Sequence, residues 1–238
     1  MFGLMLLKQS GGSPYGWPQT AFLICPQIMM HLLPALCKSF LLTAVLVGYL
    51  TSCGESGSAS KHHSPLTSDE EAQYLAQGKE IASAAFDAMS SQLMQAMATG
   101  GVPHAVTYCN TAAMPLADSL SAQFGAHIRR TSLKIRNPQD SPSPAERQAL
   151  SQYAARAAGH TALAPSVVLL EDGQVAFYAP IMVKAACLAC HGQLGTTLQP
   201  TDYAVIQSLY PQDAAIGYAD GDWRGLWSIT FERKQHTK

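Results

Sequence analysis

From residue 68 onward the apolar positions follow first a helical period and then a period of two. Ser68-Asp69-Glu70-Glu71 has the S-x-x-E form of a capping box, with acids where a helix dipole favours them. Leu75, Ala82, Phe86, Met89, Leu93 and Met97 then recur at spacings that predict one buried helix face. Gly100-Gly101 should end this helix, and Pro103 should open a second near its first turn. The second helix carries Ala105, Val106, Cys109, Ala112 and Ala113. Pro115 should interrupt it, with residues 116–124 resuming it. Alanine is frequent in both helices, which suits close approach to a flat surface or to another helix. After Gly125 the stretch 127–136 alternates like a strand. Residues 137–144 read as a loop, with Ser143 or Ser141 capping a helix over 145–158. Residues 166–170 and 175–178 form a hairpin about Asp172-Gly173. Residues 218–222 turn, and 223–232 form a last strand with Leu226, Trp227, Ile229 and Phe231 inward. Helices followed by antiparallel strands predict an α+β domain.

The region before this domain reads as a targeting leader. Lys38 precedes an apolar run over 39–50, the length of a signal-peptide core and short of the roughly 20 residues a membrane span needs. It ends in Leu50-Thr51-Ser52-Cys53, which resembles a bacterial lipobox, so Cys53 is the expected lipidation site. Residues 1–29 hold Pro14, Pro18 and Pro26 and broken apolar stretches, which points to a start at Met29 or Met30. An uncleaved N-terminal anchor is the other reading. The expected organisation is a leader over 1–52, a flexible polar tether over 53–67 and a domain over 68–238. His62-His63 belongs to the tether rather than to a metal site. The expected location is periplasmic, held to the membrane by lipid at Cys53. Gly54, rather than Asp, after Cys53 favours the outer membrane.

The domain is of ordinary single-domain size. With Lys8 and Lys38 in the leader, 15 Lys and Arg against 16 Asp and Glu leave the mature segment at a formal charge of −3. No basic patch suggests a nucleic-acid partner.

The candidate chemistry lies in Cys187-Leu188-Ala189-Cys190-His191, a C-x-x-C-H sequence. A C-x-x-C pair can also be a redox dithiol, a disulfide or half a zinc site. A zinc site wants a second ligand pair, and the chain has no other C-x-x-C and no H-x3–5-H. A thioredoxin-like pair would come early in its domain, without a following His. The motif reads as attachment of one covalent c-type haem, with thioethers at Cys187 and Cys190 and His191 as proximal iron ligand. Of six cysteines, Cys25 and Cys37 fall in the leader, Cys53 is lipidated and two hold haem. Cys109 is left alone in an oxidising compartment, with no intramolecular partner.

A wider resemblance joins these pieces. Tyr108-Cys109-Asn110, residues 130–138 (Arg-Thr-Ser-Leu-Lys-Ile-Arg-Asn-Pro), Cys187-x-x-Cys190-His191-Gly192, Tyr210-Pro211 and Gly217-Tyr218-x-x-Gly221-Asp222-x-Arg224-Gly225 occur in one order. In this the chain resembles the DUF3365 or Tll0287-like haem domain family over roughly residues 70–233. The resemblance implies a PAS-like fold with antiparallel sheet, a c-type haem, and an iron held between His191 and Cys109. It also implies sensing of redox state or a gas. Met114, Met182, His127 and His160 are the other candidates for the sixth ligand. Arg130 and Arg136 stand at the matching positions of a basic strand with Arg129 and Lys134. The strand reads either as a solvated face or as a partner for haem propionates. Tyr178, Trp223 and Trp227 read as core aromatics.

Three functions compete. A redox or small-ligand sensor wants a labile sixth ligand, and a thiolate, which favours ferric iron, suits it. A periplasmic electron-transfer cytochrome wants fixed ligands, and the lack of any segment reading as an output domain favours it. An enzyme such as a peroxidase wants an open distal position, which Cys109 would fill, so an enzyme ranks last. The sensor leads, with an unidentified redox or signalling partner and room for a homodimer.

Overall fold

The computed structural model describes residues 63–234. The leader, Cys53 and the first part of the tether lie outside the described residues. The end of the tether is docked rather than free. The Arg233 guanidinium donates to the Ser64 carbonyl (2.7 Å) and the Pro65 carbonyl (3.3 Å), and Leu66 packs on the core.

Helix α1 spans Ser68–Phe124. Its cap is Thr67, one residue earlier than the sequence suggested. The Glu70 amide donates to Thr67 Oγ1 (3.2 Å), and the Thr67 amide donates to Glu70 Oε2 (2.8 Å). The helix breaks sharply at Gly100 and Gly101, and Gly101 sits at φ 66°, a backbone conformation glycine tolerates best. Pro103 follows in the first turn of the second arm, where a missing N–H costs nothing. Pro115, expected to interrupt the second arm, does not. Ala117 and Leu120 just beyond it are buried, and such packing opposes the cost of about 3 kcal/mol for an interior proline. Gly125, at φ 62°, closes the helix, its N–H on the Ser121 carbonyl.

Strands β1 (His127–Thr131), β2 (Ser166–Leu169), β3 (Val175–Met182) and β4 (Trp223–Phe231) form one antiparallel sheet in the order β1-β4-β3-β2. Helix α2, Pro144–Ala158, starts at Ser143, whose side chain accepts from the Glu146 amide. Alternation divides the sheet's side chains. Ile128, Val175, Phe177, Ala179, Trp227, Ile229 and Phe231 pack against Tyr74, Ile81, Ala85 and Leu120 of α1. Ala176, Tyr178 and Leu226 pack against Ala149, Leu150 and Tyr153 of α2. The fold is therefore α+β, with a sheet between helices. The first arm of α1 buries Tyr74, Gly78, Ile81, Ala82 and Ala85, while Phe86, expected inside, is 49% exposed. Small residues face the sheet because the sheet comes close: a Cβ on Gly78 would lie 2.2 Å from Phe177 Cγ.

Two departures in the strands shape the site. β1 stops at Thr131 instead of continuing to Arg136. The β3–β4 register runs from Ile181↔Gly225 to Met182↔Trp223, skipping Arg224. This bulge puts Trp223 on the α2 side, stacked on Tyr153 with centroids 6.2 Å apart, and re-aims Arg224.

Candidate functional site

Between β3 and β4 the chain leaves the sheet and builds a helical excursion. It contains a 3-10 turn (Ala185–Cys187), α3 (Leu188–His191) and α4 (Pro200–Leu209). Val102 and Val106 from the second arm of α1 pack with Leu198, Ile206 and Tyr210, and Ala189 and Cys190 lie against this cluster. Cys109 stands one turn beyond Val106, on the same helix face. The excursion thus brings the C-x-x-C-H segment to the α1 arm that carries Cys109.

Cys187 and Cys190 are half-buried and free of disulfides, as is Cys109. They sit three residues apart in continuous helical turns, so their sulfurs share a side. His191 Nδ1 lies 2.7 Å from the Ala215 carbonyl, which only a protonated Nδ1 can satisfy as donor. Nε2 is left as the ring's lone-pair nitrogen. A bond of this kind fixes the ring's tautomer and orientation, as it does in histidines that bind metals. Burial first, then Arg136 and Arg224, push the imidazole well below its usual range, so it is neutral at pH 7. Burial likewise pushes Cys109 up, against Arg130 and Arg136, which pull it down. Cys190 is pushed up to about 11, chiefly by burial; Arg136 pulls it down and charge on Cys109 pushes it up. The Cys109 thiol, Cys190 and two arginines therefore share one electrostatic neighbourhood.

Residues 132–136 act as a strap. Ser132 Oγ donates to the Arg224 carbonyl (2.7 Å) and accepts from Arg224 Nη1 (2.6 Å), joining β1 to the bulge. Lys134 Nζ donates to the Ile216 carbonyl and lies 4.4 Å from the Tyr218 ring centroid. Arg224 lies 5.4 Å over the same ring, and the Tyr218 ring meets His191 edge-on at 6.4 Å. Arg136 donates from Nε and Nη2 to Asp213 (both 3.1 Å) and from Nη2 to the Cys190 carbonyl (2.6 Å). The Ala214 amide donates to the Ile135 carbonyl (2.9 Å). The basic stretch is thus neither a solvated face nor a long strand. It ties the loop after α4 and the C-x-x-C-H helix α3 to the end of β1.

The arginines divide by position. Arg129 points to the α2 side and pairs with Glu146 (3.4 Å). Arg130 shares the α1 side with Ile128; its side chain makes no hydrogen bond or ion pair among the described residues, while its charge acts on Asp140 and Cys109. His127 lies at the opposite end of β1, and His160 is exposed beyond α2. Met182 is 37% exposed at the bulged end of β3. Tyr178 and Trp227 are buried in the two sheet cores. Sequence reasoning missed Ser132, Asp213 and Ala215. Ala215 acts through its carbonyl, which carries no residue signature; for Asp213 the only signal was its place just after Tyr210-Pro211.

A profile of the Tll0287-like family matches residues 65–231. The crystal structure of the cyanobacterial heme-protein Tll0287 is similar to this chain at 28% identity, over 67% of this chain and 96% of that one, with a TM-score of 0.48. No curated relative matches. The profile takes in the sheet, the strap and the C-x-x-C-H helix alike, and the chain belongs to the Tll0287-like family.

Proposed function

We propose that this chain is a c-type haem protein of the periplasm, lipid-anchored at Cys53, that senses redox state or a small ligand through iron held between His191 and Cys109. The observation that carries the reading is His191: its Nδ1 is engaged by the Ala215 carbonyl inside an intact C-x-x-C-H turn, which is what a proximal ligand requires. The residues fit the group. Two free thiols on one side of a short helix suit thioether attachment at Cys187 and Cys190. The imidazole is neutral with Nε2 available. Arg130, with no protein partner among the described residues, suits a propionate. The bound haem would supply an iron that changes oxidation state or exchanges a ligand.

The protein's share of the work is to hold and tune. The Ala215 carbonyl orients His191. Arg130 and Arg136 favour charge on Cys109, while burial opposes it, so the thiolate is held by the metal rather than by the protein alone. A ligand whose charged form the surroundings disfavour is one that reduction of the iron can release. That lability supports sensing over electron carriage.

The test is absorption and EPR spectroscopy of the protein made with haem-attachment machinery, beside Cys109→Ala. The expected result is a low-spin thiolate signature in the wild type and a high-spin or ligand-binding iron in the variant. Identical spectra would remove Cys109 from the iron and move electron transfer ahead. Loss of membrane association in Cys53→Ala checks the anchor.

A further inference from the structure

Arg136 was expected, with Arg130, to meet haem propionates, but its guanidinium already holds two separate stretches of chain. Nε and Nη2 face Asp213, and Nη2 also reaches the Cys190 carbonyl and, at 3.4 Å, the Ala215 carbonyl. The Asp213 side chain is fully buried, with the Arg136 side chain 13% exposed. Asp213 Oδ1 in turn accepts from the Ala215 amide (2.9 Å). Both backbone polar groups of Ala215 are thus engaged, and its carbonyl is the one that takes His191 Nδ1–H.

We propose that Arg136 is a positioning residue for His191: with Asp213 it fixes the Ala215 carbonyl, and by sharing that carbonyl it limits how strongly the imidazole donates to iron. This rests on the haem reading above. A carbonyl that accepts only from an imidazole N–H makes the ring more basic and favours ferric iron. A cationic donor on the same oxygen draws density away and moderates that effect. Lysine cannot replace arginine here, because a single ammonium lacks the planar fork that reaches Asp213 and two carbonyls together.

The experiment compares wild type, Arg136→Lys and Asp213→Asn, each as the full chain with attached haem. The readouts are covalent haem by stain after denaturing electrophoresis, midpoint potential by mediated titration, and the His191 Nδ1–H proton resonance in the reduced form. Arg136→Lys keeps the charge, so a purely electrostatic role leaves the potential where it was. Loss of the guanidinium donor shared on the Ala215 carbonyl lowers it, with a change of up to about tenfold in the ferric-to-ferrous ratio at fixed ambient potential, about 59 mV for one electron. It also moves the Nδ1–H signal toward a stronger hydrogen bond. A wild-type potential and signal in Arg136→Lys would overturn the inference. Should that variant not fold, Asp213→Asn decides by sign. Loss of a buried negative charge alone raises the potential, whereas a loosened guanidinium lowers it; a rise or no change overturns the proposal. If the wild type carries no covalent haem, the haem reading itself fails. If haem is attached and only the potentials stand still, the role of Arg136 alone fails.

Discussion

Gly192 directly follows His191 of the C-x-x-C-H segment, and the space around it is filled. Its own backbone, φ −78° and ψ −166°, is open to any residue, so replacing it by alanine tests space alone. A Cβ there would lie 2.0 Å from Thr197 Oγ1 and 2.5 Å from the Leu188 carbonyl oxygen. Neither neighbour yields freely. Thr197 Oγ1 accepts from the Gln193 amide (2.9 Å), and the Leu188 carbonyl accepts from the Gly192 amide itself (2.9 Å). Overpacking of this kind costs about 1–3 kcal/mol, and losing the threonine's bond adds about 1 kcal/mol. Gly192→Ala should therefore destabilise by about 2–4 kcal/mol. With a urea m-value of about 2 kcal/mol/M, the midpoint falls by about 1–2 M.

A second substitution separates the clash from general damage. Thr197→Ala alone should cost about 1 kcal/mol. In the Gly192→Ala background it removes the nearest obstructing atom, so it should cost nothing or restore stability. The coupling should reach about 1 kcal/mol or more. Covalent haem yield should fall in Gly192→Ala and partly recover in the double variant, because a shifted Leu188 carbonyl tilts the turn that carries Cys190 and His191. A loss below about 0.5 kcal/mol for Gly192→Ala, or strictly additive effects, would refute the reasoning.

Three further outcomes follow from the fold. Tyr153→Phe removes a hydroxyl that serves the Ala164 carbonyl (2.6 Å) and the Tyr178 carbonyl (3.3 Å), and urea unfolding should show a loss of about 1–3 kcal/mol. Ser143→Ala removes the α2 cap and should cost about 1 kcal/mol in a thermal melt; no change in Tm would count against the cap. Arg233 holds the Glu70 carboxyl down to about 2, against an ordinary 4.5. A depressed pKa gives stability that is present above the ordinary value and lost as pH falls through the folded one. The urea-midpoint gap between wild type and Glu70→Gln should thus be full at pH 7, shrink below about pH 4.5 and be mostly gone near pH 2, and a flat gap would contradict the ion pair.

What the sequence revealed and what it concealed follows from which atoms act. Strands β2, β3 and β4 and the Asp172-Gly173 turn were legible because short runs of β-branched and aromatic residues are bounded by turn residues. Burial does not alternate along β3, where Val175 to Ala179 are all buried between helices on both faces. Phe86 was misplaced because hydrophobicity favours a large ring, whereas the sheet's closeness to α1 selects Gly78 and Ala85. Pro115 was misread because local geometry predicts a break that buried neighbours overrule. At the site, Cys187, Cys190, His191 and Cys109 stood out because their side chains carry the chemistry. Their supports did not, because Cys190, Ala215 and Ile216 receive the strap through carbonyls that any residue would offer.

The two arginines of the strap region make the distinction concrete. In the sequence Arg130 and Arg136 are equivalent: both are alternate members of one basic stretch, at matching positions of one motif. The fold separates them by where β1 ends. Arg130 lies within the strand and keeps the parity of Ile128, so it is directed to the α1 side near Cys109, within electrostatic reach of Asp140 but in no ion pair or side-chain hydrogen bond among the described residues. Arg136 lies five residues past Thr131, where the chain has left the sheet, and Asp213 with two carbonyls surrounds it. One cation is therefore available to an anionic group at the site, and the other is structural glue around the histidine. Substituting each in turn should separate the two roles. Arg130→Gln should leave the His191 Nδ1–H signal unchanged and alter how the haem edge is held. Arg136→Lys should do the reverse.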